Sequence, residues 1–200
     1  MNEILKLWWE NEAKSVFETC ITHCVQKVTD LLLFVEDCKT SVQNDRQMVK
    51  DFNGDIKAIK KDMQKQNIKP LLKNREDIFI LSLKHYIFDL ALKAGSLENL
   101  ALSADGLAHE YAKLLAEFEE LEDRFKNDDE TLDVQAIEAS TELIIRIKEL
   151  DDQTVKMVNQ RLTIEEARDE VLSELESYIN ENTKMDVKLK IVPVEESLIE

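Results

Sequence analysis

The stretch LENLALSADGLAHEYAKLLAEFEELEDRF, Leu97–Phe125, decides the reading of the whole chain. Counting every seventh residue from Leu97 gives Leu97, Ala104, Tyr111, Phe118 and Phe125. A second row, offset by three, gives Leu100, Leu107, Leu114 and Leu121. Two apolar rows at this spacing are the d and a positions of a heptad repeat, so they lie on one face of an α-helix. Gly106 weakens the helix only locally. The aromatic d residues are wide, which predicts packing against more than one neighbouring helix.

Toward the N-terminus, Gly95-Ser96 reads as a helix stop followed by an N-cap. Before it, residues 76–94 are apolar around most of a helix circumference, through Ile78, Phe79, Ile80, Leu81, Leu83, Tyr86, Ile87, Phe88, Leu90 and Leu92. A helix apolar on nearly all sides is expected to be buried among neighbours. Leu31-Leu32-Leu33-Phe34-Val35 has the same excess, and both segments are expected in one compact bundle. Ile68-Lys69-Pro70 marks a break, because proline disfavours helix in the residue before it. From about residue 2 to 66 a further helix carries its own heptads. Its a row is Ile21, Val28, Val35, Val42, Val49, Ile56 and Met63, and its d row is Phe17, Cys24, Leu31, Cys38, Asp45, Phe52 and Ile59. Only Asp45 interrupts the apolar pattern. The a row passes both Asp45 and Gly54 in phase, which predicts a continuous helix.

Toward the C-terminus, residues 127–131 form a break in which Asn127 and Glu130 resemble a capping box. A fourth helical region is expected over 132–182, with an a row of Leu143, Leu150, Met157, Ile164, Val171 and Tyr178. Its d row is more polar: Ser140, Ile147, Thr154, Arg161, Arg168 and Leu175. Thr163 and Glu166 could cap a restart. The short connection allows an antiparallel return against the third helix. After residue 182 the alternation Val187-Lys188-Leu189-Lys190-Ile191 reads as extended chain, either a frayed end or an edge strand for a partner sheet. The expected organisation is all-α: a helical bundle and coiled-coil head over 1–104, an acidic coiled-coil stalk over 105–182, and an extended or disordered tail over 183–200.

Composition supports helix. The only prolines are Pro70 and Pro193, and there are three glycines. A β-rich fold needs more turn residues than that. The net charge of −16 is uneven, with 15 basic and 15 acidic residues in 1–100 but 11 and 27 in 101–200. An acidic surface repels phosphate backbones and anionic lipid, so direct nucleic-acid binding is not expected. No apolar run approaches the roughly 20 residues of a membrane span. The first ten residues lack the basic lead and long apolar run of a signal peptide. Three sparse cysteines suit a reducing compartment, cytoplasmic or nuclear.

Motifs of catalysis are missing. No Gly-rich phosphate loop, His-Glu-x-x-His or nucleophile elbow occurs. Cys20, His23 and Cys24 fall close together, but Cys24 and Cys38 occupy d positions, where a thiol packs as a small hydrophobe. Adjacent carboxylates such as Asp151-Asp152 diverge by about 100° on a helix and read as solvated. No catalytic residue, cofactor or metal site is expected. Trp8 and Trp9 either seal the end of the head or form a binding hot spot.

The functional expectation is a non-enzymatic subunit of an elongated protein assembly of cytoskeletal, spindle, kinetochore or tethering type. It would associate through its seams, in a hetero-oligomer rather than a homodimer. The expected partner-binding residues are Trp8, Trp9, Leu107, Leu114, Phe118, Leu121, Leu143, Leu150, Met157, Val187, Leu189 and Ile191. The alternative is a self-contained bundle that binds one protein or an apolar ligand.

Overall fold

The computed structural model describes residues 3–65, 76–127, 129, 131–132 and 134–183. They form α1 (Glu3–Trp8), a π-helical turn (Trp9–Ala13), α2 (Lys14–Lys65), α3 (Glu76–Lys126) and α4 (Gln135–Thr183). The protein is all-α, and its three long helices pack against one another.

The π turn answers a spacing in the sequence. Leu5, Trp9, Ala13 and Phe17 recur every four residues, and all are buried. A four-residue step overshoots the 3.6-residue turn of an α-helix by about 40°. The wider turn at Trp9–Ala13 takes up that excess and keeps all four on the core side.

α2 runs unbroken through Asp45 and Gly54, as the heptad phase predicts. The stop expected at Gly95-Ser96 does not form. α3 continues through it, and the Ser96 hydroxyl donates to the Leu92 carbonyl at 3.0 Å instead of capping a new helix. Glycine costs a helix interior about 1 kcal/mol. Burying Leu97 alone outweighs this, at about 1.5–3 kcal/mol. Nor does α4 restart at Thr163.

The break after α3 is real. The Asn127 N–H donates to the Asp123 carbonyl, so Asn127 closes α3, and Glu130, the other half of the expected capping box, lies outside the described residues. Asp129 organises the connection. Its carboxylate accepts from the Thr131 hydroxyl (2.7 Å), the Thr131 N–H (2.8 Å) and Arg124 Nε (2.9 Å). These donors, the Thr131 hydroxyl foremost, hold its pKa down at about 2.

The chain forms two compact units, and each draws on all three long helices. One comprises 1–40 and 97–161, the other 41–96 and 162–200. In the first, α3 runs antiparallel to α2 and to α4: Phe17 meets Phe118 and His23 meets Tyr111, while Glu117 meets Arg146 and Tyr111 meets Asp151. Its core is the α3 seam together with Phe17, Cys24, Leu31, Leu143, Ile147 and Met157. The second unit closes around Phe52, Ile56, Phe79, Leu83, Leu90, Leu172, Leu175 and Ile179.

Two expectations about burial are corrected. In the second unit the α4 core positions are Leu172, Leu175 and Ile179, while Val171 and Tyr178 are only half-buried. A straight helix drifts by about 20° per heptad. Over the four heptads from Leu143 to Val171 the drift approaches the 100° that separates neighbouring residues, and the seam moves on by one. Residues 76–94 are also not buried all round: Ile78, Leu81, Phe88 and Leu92 are exposed. So are Leu32 and Leu33, and the two segments lie in different units. In a three-helix bundle each helix has two neighbours, which leaves an outer face uncovered.

Candidate interaction surface

The exposed apolar residues of α3 in the second unit are not scattered. Ile78, Leu81, Phe88 and Leu92 are spaced three, seven and four residues apart, and His85 fills the position between Leu81 and Phe88. This is a second heptad stripe on the face of α3 that turns away from the core row Phe79, Leu83, Ile87 and Leu90. Leu81 is 67% exposed and Phe88 60%. Contiguous apolar exposure of this kind marks a contact surface more often than single exposed residues do.

Beside the stripe lies an open groove of about 610 Å³, lined by Leu81, Ser82, Lys84, His85, Tyr86, Phe88 and Tyr178. Tyr178 of α4 floors it, with its ring 5.7 Å from Tyr86 and stacked 5.6 Å from Phe79. The Tyr178 hydroxyl is buried and has no hydrogen-bond partner among the described residues. Burial first, then the charge of Glu174, pushes the Tyr86 phenol pKa up, so this phenol stays neutral. His85 lies 3.5 Å from Asp89 one turn on.

Two polar nodes sit inside the units. In the first, Asp151 of α4 accepts from the Tyr111 hydroxyl at 2.7 Å, and His23 Nε2 lies 3.0 and 3.1 Å from its two oxygens. Lys27 Nζ is 3.3 Å away. Burial opposes ionisation of Asp151, but these partners outweigh it and hold the carboxyl below its usual range. The node joins α2, α3 and α4, and its carboxylate is occupied by structural donors. Asp151→Asn should therefore destabilise the protein by about 1 kcal/mol at pH 7, after allowance for solvent screening. A native pKa below the unfolded one contributes stability that is full above the unfolded value of about 3.9 and is lost as pH falls through the native value. The melting-temperature gap between wild type and variant should hold from pH 7 down to about 4 and narrow below that. A gap independent of pH would assign the loss to packing.

In the second unit, Arg168 of α4 reaches Asp45 of α2 at 3.5 Å, with side chains 12% and 3% exposed. Asp45 Oδ2 is buried without a hydrogen-bond partner among the described residues. Burial raises the Asp45 pKa despite the opposing charge of Arg168.

The residues expected to bind partners fall into three groups. Leu114, Phe118, Leu121, Leu143 and Met157 are buried within the first unit, and Leu107 and Leu150 are half-buried. Trp9 is buried and stacks on Phe125 at 4.7 Å, while Trp8 keeps partial exposure 5.7 Å from the same ring. Val187, Leu189 and Ile191 lie outside the described residues. Sequence reading placed Ile78, Leu81, Phe88 and Leu92 inside the core. Their own three-and-four spacing, separate from that of Phe79, Leu83 and Leu90, was the signal that two faces were present.

Burial first, with Cys20 and Asp151 nearby, pushes the Cys24 thiol up to about 11, so it stays protonated in the core. Among the described residues no three His, Cys, Asp or Glu side chains cluster so as to hold a metal ion. Among them, too, no helix is long and apolar enough to cross a membrane. No protein-family model matches the chain, and comparison with curated proteins and with solved structures finds no significant similarity.

Proposed function

We propose that this chain is a non-enzymatic helical bundle that closes its heptad seams on itself and works by binding other proteins through its outer faces. One observation carries the reading: Tyr111, Leu114 and Phe118, the centre of the strongest seam, are 0% exposed within a single chain. A seam that needed another chain would leave such residues open, at about 1.5–3 kcal/mol each. The purified chain alone should be soluble and helical by circular dichroism, and should lose that signal sharply on heating. Aggregation, or a broad non-cooperative melt, would refute the self-contained reading.

A second reading keeps the chain as a subunit of a larger cytoskeletal, spindle, kinetochore or tethering assembly in the cytoplasm or nucleus. The exposed stripe Ile78–Leu92 favours it, because such a surface suits a permanent neighbour. In that case docking uses the stripe and leaves the seams intact. Hetero-oligomeric partners would co-purify with the wild-type chain and be lost with Leu81→Glu.

A further inference from the structure

We infer that residues 187–191, outside the described residues, fold back onto the outer stripe of α3 in their own chain and cap it, so that a protein partner must displace them to dock. The inference rests on the reading above that the stripe is a contact surface.

Position puts this segment within reach. Thr183, the last described residue of α4, lies five residues beyond Tyr178, about 7.5 Å along the helix axis. Tyr178 floors the groove and stacks on Phe79, next to Ile78 at the start of the stripe. Residues that follow Thr183 therefore begin about one and a half helical turns from the groove. A tether this short holds the segment at a local concentration of about millimolar, which populates even a weak contact. The lengths agree as well. The groove runs about 10 Å along α3 from Leu81 to Phe88, and Val187 to Ile191 spans about 13 Å when extended.

Chemistry selects the same segment. Alternation puts Val187, Leu189 and Ile191 on one side of an extended chain, three apolar side chains for the face formed by Leu81, Phe88 and Tyr178. Lys188 and Lys190 fall on the other side, and their long stems can bend to the rim of the groove. That rim is acidic. Asp89 lies one turn from His85, and the charges of Glu174 and Asp89 both act on the Tyr86 phenol. Basic residues are scarce in this half of the chain. Three of the eleven in 101–200 fall within 184–190, against the single acidic Asp186, whereas α4 holds twelve acidic and five basic residues. The most basic run of the acidic half thus follows directly on the helix that floors an acid-rimmed apolar groove.

The test is disulfide trapping in the full-length chain. Phe88→Cys with Leu189→Cys, in a Cys20→Ser background, should close an intramolecular disulfide under mild oxidation. The product should keep the 23.2 kDa monomer mass and form at a rate independent of protein concentration. Lys50 is exposed on α2 of the same unit, and Lys50→Cys should pair with Leu189→Cys at least about tenfold more slowly. Lys188→Glu/Lys190→Glu should slow the link to Phe88→Cys about tenfold, and adding Asp89→Lys/Glu174→Lys should restore it. Without added cysteines, Val187→Glu/Leu189→Glu should uncover the stripe and raise binding of the apolar-surface dye ANS, with helicity and melting temperature unchanged. Equal trapping by Lys50→Cys, or dye binding that the variant leaves unchanged, would overturn the inference and leave the proposed function standing. So would a product at twice the chain mass that forms faster at higher concentration, because a second copy would then cover the stripe. An unfolded wild-type chain would overturn both.

Discussion

Leu114→Asp is expected to unfold the first unit. Leu114 has no exposure and sits at the centre of the α3 seam, between the Tyr111 and Phe118 layers. The substitution removes an apolar side chain worth about 2–5 kcal/mol in a core. It also places a carboxylate where nothing can solvate it, which adds several kcal/mol more or forces the group to take up a proton. The sum is comparable to the roughly 5–15 kcal/mol total stability of a typical domain. Circular dichroism of the variant alone, without partners, should show most of the helix lost at 25 °C. Leu81→Asp, on the same helix but on its outer face, should leave helicity intact. If Leu114→Asp keeps wild-type helicity and melting, the seam is not closed within the chain and the self-contained reading fails.

The Asp45–Arg168 pair should behave as a costly but coupled unit. Arg168→Met strands a buried carboxylate, and removing one partner of a buried pair costs about 3–5 kcal/mol. The double variant Asp45→Leu/Arg168→Met removes both charges and should return to within about 1 kcal/mol of wild type or exceed it. Two observations point to recovery rather than loss. Asp45 Oδ2 has no hydrogen-bond partner among the described residues, and the contact of 3.5 Å is long for a charged pair. The pH sign also follows. Burial raises the Asp45 pKa in the folded protein, so ionisation of this group opposes folding. Stability lost in Arg168→Met should be partly regained as pH falls through the native pKa toward the unfolded value of about 3.9. Urea denaturation of wild type, Asp45→Leu, Arg168→Met and the double variant measures the coupling. Additive losses, with the double variant weaker than either single one, would disprove it.

Much of this was legible in the heptads. The a and d rows of α2 and α3 name most of the buried positions, and continuity through Asp45 and Gly54 followed from their phase. Asp45 and Arg168 each stood out as a polar residue in a d row, but their pairing joins positions 123 residues apart. Tyr111 likewise announced a hydroxyl that needed a partner, yet Asp151 looked like one more solvated carboxylate until α4 was laid beside α3. The register shift at Leu172 was missed because a strict seven-residue count ignores the accumulated drift of a straight helix.

The sequence by itself determined that this protein is all-α and which residues can form apolar rows, because proline, glycine and heptad spacing act through local backbone geometry. Only the tertiary structure decided which rows face inward. α3 carries two, Phe79–Leu90 and Ile78–Leu92, almost equal in hydrophobicity. A helix with two neighbours can bury only part of its circumference, and that choice depends on where α2 and α4 lie rather than on the helix's own residues.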